Sequence, residues 1–140
     1  MAEQTEMQVL LDWARKNTAI KALIGSNVHQ GITHKERDLM RRLESGDGLL
    51  SFTRIPLGKN IYGKYIGYTF VLMEAIHKDD LTKAQLIYRT AWEEMVKERR
   101  QGTTFSIAVE DFTAPEDDVL WDNKCLVTRG TIKIIWIKKN

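Results

Sequence analysis

The chain has 140 residues, of which 43% are apolar and 29% are charged, and its formal net charge is +2. These values are typical of a soluble globular protein, and they exclude a collagen-like, disordered or membrane-spanning chain. We expect one domain over residues 1–140, with a core large enough to need neither a disulfide nor a metal, and the single cysteine, Cys125, fits a reducing compartment.

Two short helices are predicted in the N-terminal part of the chain. The segment Thr5-Glu6-Met7-Gln8 has the form of a capping box, in which the first residue caps the helix and the fourth reaches back to it. An apolar stripe with helical spacing follows, consisting of Met7, Leu10, Leu11 and Ala14. The first helix is predicted to run to about Lys16, and a second one over residues 18–24 is predicted to end at Gly25.

The next segment predicts a short extended stretch, a helix and a strand. Residues 28–32 form the extended stretch, and a second capping-box pattern at residues 33–36 begins a helix over residues 34–44. Alternating apolar residues then predict a strand over residues 49–55. Pro56 ends that strand because it lacks an amide N–H.

The middle of the chain predicts a loop, a long central strand and a long helix. Residues 57–64 contain two glycines and are typical of a loop, whereas residues 65–76 are rich in the aromatic and β-branched residues of strands. Asp79 or Asp80 is placed to cap a helix over residues 80–101, which Gly102 would end. One face of that helix carries a broad apolar stripe, which contains Leu81, Ala84, Tyr88, Ala91 and Met95. A helix with such a face is expected to lie across a sheet.

Two further strands are predicted in the last third, over residues 104–109 and 126–138. Residues 112–124, which lie between them, are expected to be irregular, with Trp121 anchoring them on the core. The last strand carries apolar residues on both faces, which indicates an interior strand or one covered by a partner, and it is expected to bend at its glycine, residue 130.

The order of these elements predicts the fold class. Because the strands occur in adjacent pairs rather than singly between helices, the class is α+β. We expect a mostly antiparallel four- or five-stranded sheet, with the helix over residues 80–101 packed on one face and the N-terminal helices beside it.

Charge is unevenly distributed towards the C-terminus. Residues 110–123 contain six acidic and no basic residues, whereas residues 124–140 contain five basic and no acidic ones. One interpretation is an acidic loop beside a solvated strand edge. The other is a subunit with one acidic and one basic surface, which meets copies of itself head to tail and closes into a ring. The residues predicted to lie in the ring lumen or at the subunit interface are Glu110, Asp111, Glu116, Asp117, Asp118, Lys133, Lys138 and Lys139.

The sequence contains no motif for catalysis, cofactor binding or metal binding. The three histidines (His29, His34 and His77) and Cys125 lack the spacing of a zinc site, and the acidic pairs fall in predicted turns, where they cap helices or face solvent. Residues 58–64 have the glycine spacing of a phosphate-binding loop, but Tyr65 replaces the hydroxyl residue that binds magnesium. We therefore expect no enzymatic activity, no cofactor and no metal.

A basic cluster lies in the predicted third helix and consists of Lys35, Arg37, Arg41 and Arg42. A small nucleic-acid-binding domain that uses the three arginines is an alternative function. The interspersed acidic residues and the sequence pI of about 8.7 favour a solvated helix face instead. A hydrolase that uses Glu110 and Asp111 is a third alternative.

The order of elements resembles that of the tail terminator, or tail completion, proteins of tailed bacteriophages. The resemblance covers the helical pair over residues 7–23, the strands over residues 49–55 and 65–76, the helix over residues 80–101, and the last strand with Thr131-Ile132-Lys133-Ile134-Ile135-Trp136-Ile137. It is a resemblance of pattern and length, and the helix over residues 34–44 departs from it.

The resemblance implies a structural protein without catalytic function. Members of that family form a six-membered ring that caps the tail tube and joins it to the neck or head connector. The implied partners are further copies of this chain, a tail tube protein and a connector protein, with DNA only as passing cargo and no membrane, in a virion assembled in the host cytoplasm. An acidic segment such as residues 110–118 would line the bore and repel the DNA. Another neck or baseplate subunit is the alternative within this class.

Overall fold

The computed structural model describes residues 5–31, 36–44, 46–55, 61–62, 64–97, 100–101, 105–111, 113–120 and 125–138. The helices are α1 (Glu6–Lys16), α2 (Thr18–Ile24), α3 (Glu36–Glu44) and α4 (Leu81–Lys97). The strands are β1 (Val28–Gln30), β2 (Gly48–Arg54), β3 (Ile61–Tyr62), β4 (Ile66–His77), β5 (Arg100–Gln101), β6 (Phe105–Asp111), β7 (Glu116–Leu120) and β8 (Cys125–Lys138). Helices packed on one sheet confirm the predicted α+β class.

The sheet is built around β4 and β8, which pair in antiparallel orientation along all 12 residues of β4. The strand order is β1-β2-β4-β8-β6-β5, with β3 beside β4 and β7 beside β8. Among the described pairs, β1 and β2 run parallel and the others antiparallel, so the predicted, mostly antiparallel sheet is confirmed. Short strands of two to five residues (β1, β3, β5 and β7) extend it beyond the expected four or five.

The N-terminal helices begin and end where the sequence predicts. The Thr5 side chain accepts a hydrogen bond from Gln8 N at 3.2 Å, and the Gln8 side chain accepts one from Thr5 N at 2.8 Å, so the capping box is confirmed. Asn17 lies between the two helices, and its side chain caps α2. Gly25 ends α2 with a φ of 63°, a left-handed conformation that glycine adopts without steric cost.

The long helix α4 lies across the sheet, as predicted, but it is shorter than expected. Asp80 Oδ1 accepts a hydrogen bond from Lys83 N at 3.3 Å, which makes Asp80 the capping residue. The helix ends at Lys97, and Arg100–Gln101 pair with β6 instead of continuing the helix. The buried stripe of α4 ends at Met95, so a further helical turn would bury no additional apolar side chain, whereas pairing with β6 satisfies backbone groups.

The helices make the two faces of the sheet different. α1, α2 and α4 pack on one face, which we call the helix-covered face. Its buried side chains come from alternate strand residues and include Leu50, Phe52, Val71, Met73, Ile107, Ile132 and Ile134. On the opposite face, Leu39 and Leu43 of α3 pack with Leu49, Ile76 and Val127 at one end. We call the remainder of that opposite face the open face.

A chain of buried polar groups joins α1 to the helix-covered face. Glu6 is only 4% exposed, and its carboxylate pairs with the Arg54 guanidinium. The Thr69 hydroxyl donates to Glu6 Oε1 at 3.2 Å, and the Trp136 indole N–H donates to Thr69 Oγ1 at 3.3 Å. Because a buried carboxylate is tolerated only with such partners, this network fixes the first turn of α1 over β2, β4 and β8.

The segment predicted to be irregular between the last two strands is partly a strand. β6 and β7 both pair with β8, and the chain leaves the sheet between them. At this interruption Thr113 N donates to Thr131 O at 3.1 Å, and Thr131 N donates to Thr113 Oγ1 at 2.8 Å. The prediction is therefore wrong for residues 116–120, because the acidic side chains of β7 find partners on β8 and α4 that the local sequence does not show.

The strand β8 continues without interruption through Gly130, where the sequence suggested a bend. A Cβ atom at residue 130 would lie 2.3 Å from Tyr88 Oη, which is closer than any real contact. A side chain at this position would therefore displace the Tyr88 ring, which α4 places against the strand.

Several other predictions concern loops and helix ends. Ile61–Tyr62 pair with β4, so the predicted loop over residues 57–64 is wrong at those two residues. The capping pattern at residues 33–36, the anchoring role of Trp121 and the helix end at Gly102 lie outside the described residues.

Candidate assembly surfaces

Three carboxylates are displayed along β7, together with one apolar side chain. Glu116, Asp117, Asp118 and Val119 are all exposed, and Val119 is 43% exposed. We call these four residues the acidic edge. In the described part of the sheet, β7 pairs with β8 alone, so the other side of this strand is a sheet edge.

Hydrogen bonds within the chain hold two carboxylates of the acidic edge in place. Asp117 accepts hydrogen bonds from Gln85 Nε2 and from Thr128 Oγ1, both at 2.7 Å. Asp118 Oδ1 accepts a hydrogen bond from Val119 N at 2.8 Å. The carboxylates therefore have defined positions, which lowers the entropy that a contact would cost.

An ion pair lies beside the acidic edge, on the face of the sheet away from α4 and on the same face as Glu116 and Asp118. Glu74 is 1% exposed, and its Oε2 lies 3.4 Å from Arg129 Nε. A second nitrogen of Arg129 lies 3.5 Å from Asp118 Oδ2. Arg129, from the basic C-terminal segment, thus offsets acidic charge within its own subunit.

At the other end of β8, apolar side chains are exposed on the open face and beside it. We call Tyr65, Ile66, Tyr68, Ile135 and Ile137 the apolar patch. Tyr65 is 47%, Ile66 58% and Ile137 40% exposed, whereas Tyr68 and Ile135 are half-buried. Large apolar side chains gathered on one surface indicate an interaction site more than scattered ones do.

Three lysine residues border the apolar patch, and two of them place the ammonium group over an aromatic ring. Lys64 Nζ lies 5.1 Å from the centroid of the Tyr65 ring, and Lys133 Nζ lies 4.5 Å from the centroid of the Tyr68 ring. Lys138 N donates to Tyr65 O at 2.6 Å at the end of β8. We call Lys64, Lys133 and Lys138 the lysine rim.

The structure brings some of the predicted residues together. Glu110 of β6 lies directly opposite Lys133 of β8, so the acidic and basic segments do not form separate surfaces at this point. Asp111 pairs with Ile132 in the backbone register, whereas Lys139 lies outside the described residues. The apolar patch was not predicted from the sequence. The apolar residues on both faces of the last strand were the pattern that pointed to it.

The acidic edge and the apolar patch lie at opposite ends of the sheet. Asp118 is opposite Val127, near the start of β8, whereas Ile137 is near its end. At about 3.3 Å per residue along a strand, these points are about 30 Å apart. The acidic edge and the lysine rim therefore lie towards the two ends of β8.

The histidines have structural partners. His77 is buried, and its Nδ1 accepts hydrogen bonds from the backbone N–H groups of Asp79 and Asp80 at 3.2 and 3.0 Å, so it holds the turn before α4. His29 Nε2 contacts Asn27 Oδ1, and burial, followed by the nearby Arg42 and Arg15 guanidinium groups, lowers the pKa of His29. His34 lies outside the described residues.

Metal sites, the cysteine and cavities give weaker candidates than the two surfaces. Within the described chain, no three His, Cys, Asp or Glu side chains gather where they could hold a metal ion. Cys125 is buried, with its Sγ 3.5 Å from Met40 Sδ. A cavity of about 310 Å³ lies between α4 and β7, and its walls include Tyr88, Trp92 and Asp117. None of the helices described here is long and apolar enough to cross a bilayer.

The arginines of the predicted basic cluster differ in how far they are exposed. On α3, Arg41 is exposed and Arg42 is half-buried, and the Arg42 carbonyl accepts a hydrogen bond from Asn27 Nδ2 at 3.2 Å. Lys35 and the Arg37 side chain lie outside the described residues.

Comparison with known proteins gives a likeness of fold. The chain is similar to one from a solved structure of the virion of a native gene transfer agent particle, with a TM-score of 0.60 and 8% sequence identity. The likeness covers 93% of this chain and 92% of that chain. No protein-family model matches the sequence, and no curated protein matches it.

Proposed function

We propose that this protein is a structural subunit of a phage-like virion, which assembles into a ring that caps the tail tube and joins it to the neck or head connector. The likeness of fold to a chain of a virion particle, over nearly the whole of both chains, is the observation that carries this proposal. In this function the protein acts by assembly and catalyses no reaction.

The likeness extends over the whole fold rather than over one part of it. The match includes 93% of this chain, so the large sheet and the helices that pack on it are compared together. Because one fold can host unrelated functions, the surfaces of this chain must supply the remaining argument.

Those surfaces suit a protein that associates with copies of itself. The apolar patch leaves large side chains exposed at one end of the sheet, and the acidic edge leaves a strand edge exposed at the other. Natural proteins usually protect such edges and patches, and a neighbouring subunit is one means of doing so.

The exposed carboxylates have two possible placements in a ring. Facing the bore, Glu110 and the acidic edge would repel the phosphates of passing DNA. Facing a neighbouring subunit, they would pair with its lysines. Both placements need only a ring of identical subunits, with a tail tube protein and a connector protein as further partners.

The native mass in solution tests the ring. We expect sedimentation equilibrium to give a multiple of the 16.2 kDa chain mass, and negative-stain images at micromolar concentration to show closed rings. A monomer at every concentration tested, with no rings in the images, would contradict the proposal.

A tube-polymerisation assay tests the role of the ring. A tail terminator added to polymerising tail tube protein should shorten the tubes and bind at one end. Rings that leave tube length unchanged would instead favour another neck or baseplate subunit.

A further inference from the structure

We propose that the acidic edge of one subunit docks on the apolar patch and lysine rim of the next copy of this chain. The inference rests on the proposed ring and identifies the two surfaces that form it. The occupant of the apolar patch is thus a second copy, bound head to tail.

Charge complementarity supports this choice of occupant. The acidic edge carries Glu116, Asp117 and Asp118, and the lysine rim carries Lys64, Lys133 and Lys138. Opposite charges around an apolar centre favour the correct partner and its orientation. Val119, exposed at 43%, supplies an apolar side chain that can enter the patch between the lysines.

The separation of the surfaces determines the type of contact. Because they lie about 30 Å apart along β8, one subunit cannot join its own two surfaces. A two-fold contact of either surface with itself would place acidic edge against acidic edge, or lysine rim against lysine rim, which like charges oppose. A two-fold pair that joins each acidic edge to the lysine rim of the other copy would stop at two chains, which sedimentation would show as a dimer. The proposed contact is heterologous, and it produces rings where the rotation between subunits closes.

Charge exchange between the two surfaces tests the contact. Glu116→Lys reverses one charge of the acidic edge and leaves the hydrogen bonds of Asp117 and Asp118 in place. Lys64→Glu reverses one charge of the lysine rim. We expect each variant to raise the protein concentration at which half of the chains are in rings by about tenfold at low salt, as sedimentation velocity would measure.

Restoring complementarity should restore assembly. The double variant Glu116→Lys/Lys64→Glu should assemble within about threefold of the unmodified protein, because the reversed charge at position 116 then meets the reversed charge at position 64 of the next copy. An equimolar mixture of the two single variants should also assemble, with the two chains alternating around the ring. Intramolecular repair cannot explain either result, since the two residues lie at opposite ends of the sheet.

Matched controls test whether position matters. Glu93→Lys and Lys21→Glu make the same charge changes on exposed residues of α4 and α2, and both should assemble normally. Ile137→Asp should abolish rings, whereas Val96→Asp, at an exposed site on α4, should not. Circular dichroism of each variant would check that the fold is kept.

The outcomes distinguish this inference from the proposed function. If the unmodified protein forms rings that persist after both charge reversals and after Ile137→Asp, that result would overturn the contact between the acidic edge and the apolar patch, but it would leave the proposed ring intact. Loss of rings in both single variants without rescue in the double variant or the mixture would also overturn it. A protein that forms no ring before any substitution would contradict the proposed function itself.

Discussion

The two faces of the central sheet are built from the same strands, but they differ in how completely their apolar residues are buried. On the helix-covered face, Ile132 and Ile134 of β8 are fully buried beneath the helices. On the open face, Ile135 is half-buried and Ile137 is 40% exposed. At this end of the sheet β8 thus carries apolar side chains that the fold leaves partly exposed, and the difference separates residues that stabilise the core from residues that face solvent.

The largest expected difference between the faces comes from one substitution made on each. Ile134→Ala should lower the free energy of unfolding by about 4 kcal/mol, because it leaves a cavity in a closely packed core. Ile137→Ala should lower it by less than about 1 kcal/mol, because this side chain is already partly in water. Urea denaturation of the monomeric chain would measure both values, and equal losses would contradict the distinction between the faces.

The second prediction concerns the charged residues on β8. Arg129→Met should cost about 3 kcal/mol of stability, because it removes a partner of the buried Glu74 carboxylate. Lys133→Met, on the same face of the same strand, should cost less than about 1 kcal/mol, because its partner across the strands, Glu110, is exposed. Urea denaturation of the two variants would rank them, and the reverse order would show that the Glu74 pair is dispensable.

A smaller effect tests the close approach of α4 to the helix-covered face. Gly130→Ala should cost about 2 kcal/mol, because the new methyl group would overlap the Tyr88 hydroxyl. Adding Tyr88→Phe removes that hydroxyl and should recover part of the loss. Gly46→Ala is the control, since the nearest atom to its new Cβ is 4.0 Å away, and its thermal midpoint should be nearly unchanged. If Gly130→Ala/Tyr88→Phe lost as much stability as Gly130→Ala alone, the Tyr88 hydroxyl would not be the cause of the strain.

The smallest expected effect belongs to an exposed ion pair near the start of β2. Lys78 Nζ lies 2.8 Å from Asp47 Oδ1, and its hydrogen bond and charge lower the pKa of Asp47 below the ordinary value of 3.8. The stabilisation is therefore present above that ordinary value and is lost as the pH falls through the lowered pKa. Asp47→Asn should slightly lower the thermal midpoint at pH 7 and leave it unchanged in strong acid; an equal shift at every pH would contradict this.

Local sequence patterns predicted the elements that depend on local interactions. The capping box at Thr5 and the stop at Gly25 involve residues within one or two helical turns, and the stripe of α4 repeats at spacings of three and four residues. The structure confirms all three. The long strands β4 and β8 were predictable because each is rich in β-branched and aromatic residues.

The candidate surfaces were less predictable because they depend on register between distant strands. β7 begins with three acidic residues that have low strand propensity, and its position is set by Thr128 and Gln85, which lie elsewhere in the sequence. That Glu110 lies opposite Lys133 also follows from the pairing of β6 with β8, which composition does not reveal. The sequence shows which residues are charged, but their positions relative to one another depend on strand pairing.

The polar network around Glu6 also constrains the order in which the chain can fold during synthesis. α1 leaves the ribosome first, but the Glu6 carboxylate needs Arg54 from β2 and Thr69 from β4, and the Thr69 hydroxyl is in turn oriented by Trp136 from β8. The nascent helix therefore has no complete docking site until the last of these strands has emerged. Docking of α1 is therefore expected to be a late and cooperative step that waits for the translation of β8.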